Sequence, residues 1–259
     1  MLFWKISPSG NPTILIPAEQ VSPVRRAELS VNILSPDHLF GDQVGYYTLP
    51  TDGQPARLDM MGGEFCLNAT RALAFLLAHL DHLDRNGLLT YISVSGLQKP
   101  AVCRVIDQVA WTAVDFFYLP KIRILSPKVW LIRLPGICHI VHLDPQPSEN
   151  TRSYCQSLLA TLDLEQENAV GFLWLDVQKM ELTPLVWVRL TNSLIQESAC
   201  GSGSLACALL LHKQQGLTCL DLKQPSGQSL SLNFEQVGTS LRIWVGGPVK
   251  LLAMGELFL

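Results

Sequence analysis

Cys66 and Cys200 each head a strongly apolar run with helical spacing, and each is followed by small polar residues: Phe65-Cys66-Leu67-Asn68-Ala69-Thr70 and Ala199-Cys200-Gly201-Ser202-Gly203-Ser204. A thiol at a helix head sits among unpaired backbone N–H groups at the positive end of the macrodipole, which favours the thiolate and is expected to lower its pKa. Two such thiols facing one substrate carbon from opposite sides make a proton-transfer pair, one arriving as thiolate base and the other as thiol acid. A lone cysteine heading an apolar helix is ordinarily a core residue, and Cys103, Cys138, Cys155, Cys207 and Cys219 are read that way. The recurring context sets Cys66 and Cys200 apart. A Cys–His hydrolase built on Cys200 leaves the matched Cys66 segment unexplained, and a non-catalytic small-molecule binding protein leaves both thiols without a purpose.

Two helices, each carried by its own set of strands, are needed to hold two thiols this way. Residues 72–77 and 205–211 are apolar nearly all round, as an enclosed helix requires. The pattern predicts helices over Cys66–Leu83, ended by Asn86-Gly87, and over Cys200–Gln215, stopped by Gly216. Further helices are expected over Val21–Leu34 and Ser153–Leu164. Strands are expected at Phe3–Ile6, Thr13–Ile16, Ala56–Met61 and Leu88–Ser93, and in the second half at Val129–Leu134, Ile137–Leu143, Val170–Val177, Pro184–Leu190, Leu217–Leu222, Ser229–Phe234 and Leu241–Val245. Each half thus embeds one long apolar helix among many strands, an α+β chain in which a helix lies inside a curled sheet. A buried helix whose head points into a cleft offers its first N–H groups to an anion in low dielectric.

The composition narrows the partner to a small molecule. Of 259 residues, 48% are hydrophobic and only 16% charged, against roughly 25% charged in typical soluble chains; large buried cores and an oligomer interface, such as a homodimer's, are the two uses for that apolar surface. A formal charge of −3 with no Lys/Arg stripe argues against nucleic acid and against an anionic membrane. No apolar run approaches the roughly 18 residues of a membrane span. Ser7-Pro8-Ser9-Gly10-Asn11-Pro12 breaks the apolar start before it can serve as a secretory signal, and the seven scattered cysteines read as reduced, cytoplasmic thiols. Gly201-Ser202-Gly203-Ser204 lacks both the Gly-Lys-Ser/Thr of a phosphate loop and the spacing of a hydrolase elbow. His139 and His142, three apart on a strand, face opposite sides and do not ligate together. No cofactor and no metal are expected.

These cysteine segments and their spacing resemble the diaminopimelate epimerase-like superfamily of cofactor-independent amino-acid racemases. Lys5-Ile6-Ser7-Pro8-Ser9-Gly10-Asn11 is similar to its N-terminal strand and glycine-asparagine turn, Asp42-Gln43-Val44-Gly45 to its substrate-contacting glutamine segment, and Gly247-Pro248-Val249 to the motif before its final strand. Pro8-Ser9-Gly10-Asn11, Glu64-Phe65-Cys66, Pro184-Leu185-Val186, Ser193-Leu194-Ile195 with Glu197, and Gln224-Pro225 with Gly227 most resemble one branch, the histidine racemases of staphylopine-type metallophore pathways. The resemblance implies two pseudo-symmetric domains, residues 1–125 and 126–248, each a strand-rich half-barrel around a central helix. The last strand, 249–259, returns to the first domain, and the active site lies in the cleft between the two. It implies two-base racemisation without pyridoxal phosphate, interconverting L- and D-histidine with Cys66 and Cys200 exchanging roles, and a D-histidine product destined for an opine-type metallophore. A diaminopimelate epimerase, or a racemase of another amino acid on the same fold, is the nearest alternative.

An amino acid's α-proton is far too weakly acidic for a free thiolate, so donors fixed before reaction must stabilise the carbanion-like transition state. Backbone N–H groups around Asn68 and around Gly201 and Ser202, with the Asn68 amide and Ser202 hydroxyl, are the expected donors to the substrate carboxylate. By analogy Asn11 and Gln43 orient the α-amino or α-carboxylate group. Departures from diaminopimelate epimerases are informative. Thr191 and Asn192 stand where those enzymes carry a Glu-Arg pair for a second carboxylate, the loop Met60–Phe65 is shorter, and Leu67 replaces a glycine and narrows the cleft. Without a fork-shaped cation, a neutral or cationic substrate side chain fits better. Asp42, Glu64 and Glu197 are either helix-start carboxylates or receivers of a substrate imidazole or ammonium; His139 is either a core histidine or a cleft residue.

Overall fold

A computed structural model describes residues 1–83, 86–144 and 151–258. In chain order the elements are β1 (Leu2–Pro8), β2 (Thr13–Pro17), α1 (Arg26–Leu34), β3 (Gln43–Thr48), β4 (Ala56–Met60), α2 (Leu67–His79), β5 (Thr90–Val94), β6 (Ala101–Ile106) and β7 (Val109–Phe116). They continue with β8 (Ile122–Ser126), β9 (Val129–Leu134), β10 (Ile137–His142), α3 (Thr151–Thr161), β11 (Ala169–Asp176), β12 (Glu181–Val188), β13 (Ser193–Gln196), α4 (Gly201–Gln215), β14 (Cys219–Lys223), β15 (Ser229–Val237) and β16 (Ser240–Glu256).

The fold is α+β and strand-rich. β1 to β7 follow one another in space, β7 pairs with β16 from Val109↔Pro248 to Phe116↔Leu241, and the rest of β16 pairs back on β1 from Pro8↔Val249 to Leu2↔Glu256. Eight strands therefore close into a barrel, which removes the free edges an open sheet would expose. α2 lies inside, with every residue from Leu67 to Ala78 buried. From the other side of β16 the sheet runs on through β15, β14, β12, β11, β10, β9 and β8, with β13 added to β12, and α4 packs inside this curl. β12 and β14 are joined at one residue pair, Glu181↔Lys223. α3 covers the outer face of β10 and β11 through Cys155 and Leu159, against Cys138, Ile140 and Trp174. Truncating an enclosed leucine such as Leu73 or Leu209, both at most 2% exposed, costs about 2–5 kcal/mol because the surroundings cannot collapse onto the void.

Three expectations are corrected. The first helix stops at His79, not Leu83, because the chain turns at Leu80 and enters a left-handed conformation at Asp81 (φ 59°). The first strand set is a closed barrel rather than a half-barrel. β16 is one strand of 17 residues running through Gly246-Gly247-Pro248, where separate strands were expected; the proline is accommodated because the β7 ladder ends at its partner Val109, while its carbonyl accepts the Ser9 N–H at 2.7 Å. The hairpin β6–β7 escaped the sequence reading altogether. Leu259 of the expected last strand lies outside the described residues. Among the described residues no helix is long and apolar enough to cross a membrane.

Candidate active site

Both cysteines are N-caps with the same geometry. Cys66 (φ −127°, ψ 111°) accepts the Ala69 N–H on its sulfur at 3.4 Å, and Cys200 (φ −130°, ψ 107°) accepts the Gly203 N–H at 3.4 Å. Four residues on, Thr70 and Ser204 each return a hydroxyl to the cysteine carbonyl at 2.7 Å, which fixes each cap in its extended conformation. The heads are tied together: the Asn68 amide donates to Ala199 O at 2.8 Å, and a Cβ on Gly201 would lie 2.8 Å from the Leu67 Cβ and 2.9 Å from Asn68 Oδ1. Only glycine allows this approach.

A hydrogen-bonded chain then reaches the first thiol. Cys66 donates to Gln43 Oε1 at 2.9 Å, while Gln43 Nε2 donates to Asn11 Oδ1 and, at 2.8 Å, to Thr13 Oγ1. Asn11 Nδ2 donates to Asp42 Oδ2 at 2.8 Å, and the Ser198 N–H donates to the same oxygen at 2.8 Å. Asp42, just before β3, thereby links the barrel to the segment leading into α4. On the second thiol, Ser202 Oγ is 3.7 Å from Cys200 Sγ, and Gln224 Oε1 accepts the Cys200 N–H at 3.0 Å.

Cys66, Asn68, Cys200, Gly201 and Ser202 line one pocket with Asp42, Gln43, Glu64 and Glu197, and its apolar wall includes Met61, Phe65, Ile137, Val186 and Ile195. The cavity is about 20 Å³, room for about one water. Asn11 and Leu67 do not line it; Asn11 acts behind Gln43, and Leu67 packs against Gly201 between the helix heads. His139 shares a cross-strand row with the wall residues Val186 and Ile195 but does not itself line the pocket. The row His139, Gly171, Val186 and Ile195 crosses four paired strands, and a Cβ on Gly171 would sit 2.1 Å from His139 Nδ1, so the ring fills the space above this glycine. Both its ring nitrogens are buried without a hydrogen-bond partner among the described residues, and burial pushes its pKa down to about 3. His142 faces away, stacked on Trp174 and hydrogen-bonded to Tyr154. No group of three or more His, Cys, Asp or Glu side chains among the described residues is placed to hold a metal ion.

The electrostatics correct one expectation. Both thiols are held well above the usual cysteine range, because burial disfavours the thiolate and Glu197 repels it; the N–H groups at the helix heads pull the other way and are outweighed. The carboxylates respond to the same desolvation. Burial raises Glu64 from 4.5 to about 7 and Glu197 to about 8, and raises Asp42 despite the N–H donors that hold it. Glu64 and Glu197 are thus neutral in the folded, unliganded protein at pH values where the unfolded chain has ionised them. Their contribution to stability is fully present below pH 4.5 and is lost as pH rises through 7 and 8. The unliganded protein is expected to lose on the order of 5 °C in Tm between pH 5 and pH 8, with a shallower decline in Glu197→Gln, as read by scanning calorimetry.

Arg71 was not singled out in the sequence. It is fully buried, and its Nη1 donates to Asn68 Oδ1 at 3.3 Å behind the pocket. Its signal was available: a single arginine, with no acidic residue beside it in the helix, inside a largely apolar helix of the kind that is enclosed.

A family model described as the histidine racemase CntK N-terminal domain matches residues 1–258. A histidine racemase of Fusobacterium nucleatum subsp. nucleatum is 30% identical over 266 residues, covering 99% of this chain and 96% of that protein. Among solved structures, a predicted epimerase from Pseudomonas aeruginosa superposes with a TM-score of 0.68 at 16% identity, covering 100% of this chain and 99% of the other. A hydroxyproline epimerase from Agrobacterium vitis, with bound trans-4-hydroxy-L-proline, superposes with a TM-score of 0.67 at 13% identity, covering 98% and 91%. Those two share the fold. The match along the whole family model, with a relative of that identity and coverage, makes the chain a member of the histidine racemase family and an amino-acid isomerase.

Proposed function

We propose that this enzyme interconverts L- and D-histidine by two-base proton transfer between Cys66 and Cys200, without a cofactor. The observation that carries the reading is the convergence of two identically capped thiols on one small pocket. One cysteine, as thiolate, removes the Cα proton; the other, as thiol, delivers its own proton to the opposite face, leaving the pair with its ionisation exchanged and the substrate inverted. The developing negative charge on the carboxylate and Cα is met by the N–H groups at the two helix heads and by the Asn68 and Ser202 side chains, fixed before the reaction begins. The residues 1–125 with 249–259 and the residues 126–248 act as two pseudo-symmetric domains, and the pocket is the cleft between them. A histidine far exceeds a cavity of about 20 Å³, so its entry requires the walls to part.

Three carboxylates and no cation line the pocket, which suits a substrate carrying an α-ammonium and a protonatable imidazole. Such a cation draws Glu197, Glu64 and Asp42 into their ionised forms and offsets the repulsion that keeps the thiols protonated. Thr191 turns back to Val188 O and to Ser193 Oγ and does not line the pocket, so nothing at its position grips a second carboxylate. D-histidine would then serve the synthesis of an opine-type metallophore, tested by whether a nicotianamine-like synthase condenses the product and whether loss of the gene stops metallophore production. The substrate assignment is tested by incubating purified enzyme with a panel of L-amino acids in D2O and resolving the products by chiral chromatography. L-histidine is expected to give D-histidine deuterated at Cα. Preference for L,L-diaminopimelate would overturn the substrate while leaving the two-thiol chemistry, and inertness towards every amino acid would overturn both.

A further inference from the structure

We propose that Arg71 is the fixed positive charge of this active site, a positioning residue held behind Asn68 to balance the anionic charge that forms on Cys66 and the substrate carboxylate. The inference rests on the reading of Cys66 as an acid–base group. Arg71 is one and a half turns into α2, fully buried, and all its contacts are neutral: Nε donates to Ala110 O at 2.9 Å, Nη2 to Ser9 Oγ at 3.0 Å, and Nη1 to Asn68 Oδ1 at 3.3 Å. No carboxylate pairs with it among the described residues. A buried guanidinium without an anion costs several kcal/mol, and an apolar residue would fill an enclosed helix better. A charge kept at that cost needs a counter-ion. The groups it can serve are the thiol at the head of the same helix, whose thiolate would hold the guanidinium charged against the burial that pulls its pKa down to about 9, and a substrate carboxylate at Asn68.

The surrounding chain is shaped to hold this cation. Ser9 takes a left-handed conformation (φ 54°) that presents its hydroxyl to Nη2, and its own carbonyl accepts the Ser226 hydroxyl at 2.7 Å. A Cβ on Gly10 would lie 2.2 Å from Ser226 Cβ, and one on Gly247 would lie 2.5 Å from Ser9 Oγ and 3.0 Å from Arg71 Nη2. Ser9 and Gly247 thus close directly on the guanidinium, and the Ser226 turn packs behind the Ser9-Gly10 turn. By holding Asn68 Oδ1, Arg71 also commits the Asn68 amide to donate to Ala199 O beside Cys200, so its position bears on both heads. The positive charge lowers the cost of the Cys66 thiolate once substrate has displaced the water, when screening is least.

Alkylation of Cys66 by iodoacetamide, in which the thiolate displaces iodide, reads its ionisation without any turnover, so the test stands whether or not histidine is the substrate. The rate is followed against pH at the Cys66 peptide by mass spectrometry in full-length wild type, Arg71→Gln and Arg71→Lys, each checked for folding by circular dichroism. Arg71→Gln is expected to raise the midpoint by about one pH unit, slow alkylation about tenfold at pH 8 and lower kcat, while Arg71→Lys stays within about threefold of wild type. A wild-type profile in folded Arg71→Gln would overturn the proposal. So would an Arg71→Lys profile displaced as far as that of Arg71→Gln, since a residue serving only as a brace depends on the fork and not on the charge. Should Arg71→Gln fail to fold, Arg71→Lys decides alone: retention within threefold supports the charge, and a tenfold loss removes it.

Discussion

Cys66→Ala will fold with the wild-type circular dichroism spectrum and lose racemisation by a factor on the order of 10³ or more, and Cys200→Ala will do the same. Each enantiomer needs a base on one face of Cα and an acid on the other, so neither thiol can stand in for its partner. Stability is little affected, because a single sulfur is removed from a cap whose backbone is still held by Thr70 or Ser204. The diagnostic result is stereochemical. With one thiol left, the enzyme should still wash deuterium into the enantiomer whose α-proton faces that thiol, without inverting it, and the two variants should label opposite enantiomers. Wild-type turnover by either variant, followed by chiral chromatography, would sink the assignment.

Gly201→Ala should be the most damaging substitution outside the thiols, lowering kcat by about 10² while leaving the protein folded. The new Cβ would have to share space with the Leu67 Cβ at 2.8 Å and Asn68 Oδ1 at 2.9 Å. Neither can withdraw freely: Leu67 is fully buried, and Asn68 is bonded both to Arg71 and to Ala199 O. The two helix heads must separate, and with them the sulfurs that have to meet one carbon. Such a displacement acts on alignment rather than on affinity, so kcat should fall more than KM rises. Unchanged kcat would show that the spacing of the heads does not limit the reaction.

The two thiols stood out by their repeated local segments, Gln43, Asn68 and Ser202 came with the family resemblance, and Asp42, Glu64 and Glu197 were left open between helix-start and substrate-receiving carboxylates; the fold brings all of them to one pocket. Arg71 was not read, although its setting is local too, because the apolar pattern of α2 marked the helix as core and drew attention from the one residue that did not belong. The ionisation of the thiols was read with the wrong sign. A helix head is visible in sequence, but the depth at which it is buried and the approach of Glu197 to Cys200 depend on strands far apart in the chain. Closure of the barrel was hidden for the same reason: the pair Leu2↔Glu256 spans nearly the whole polypeptide, and no local signal records it. His139 was left open between core and cleft, and its place above Gly171 is set by the partnering of β10 with β11.

The sharing of β16 has a consequence for how the protein is born. Ribosomes deliver β1 to β7 first, yet β16, which joins β7 to β1, follows all the other described strands in the chain. Until it emerges, α2 sits in an unsealed barrel with two naked strand edges and its apolar surface within reach of neighbouring chains. The nascent chain therefore cannot bank its first barrel early, as chains built from sequential domains do.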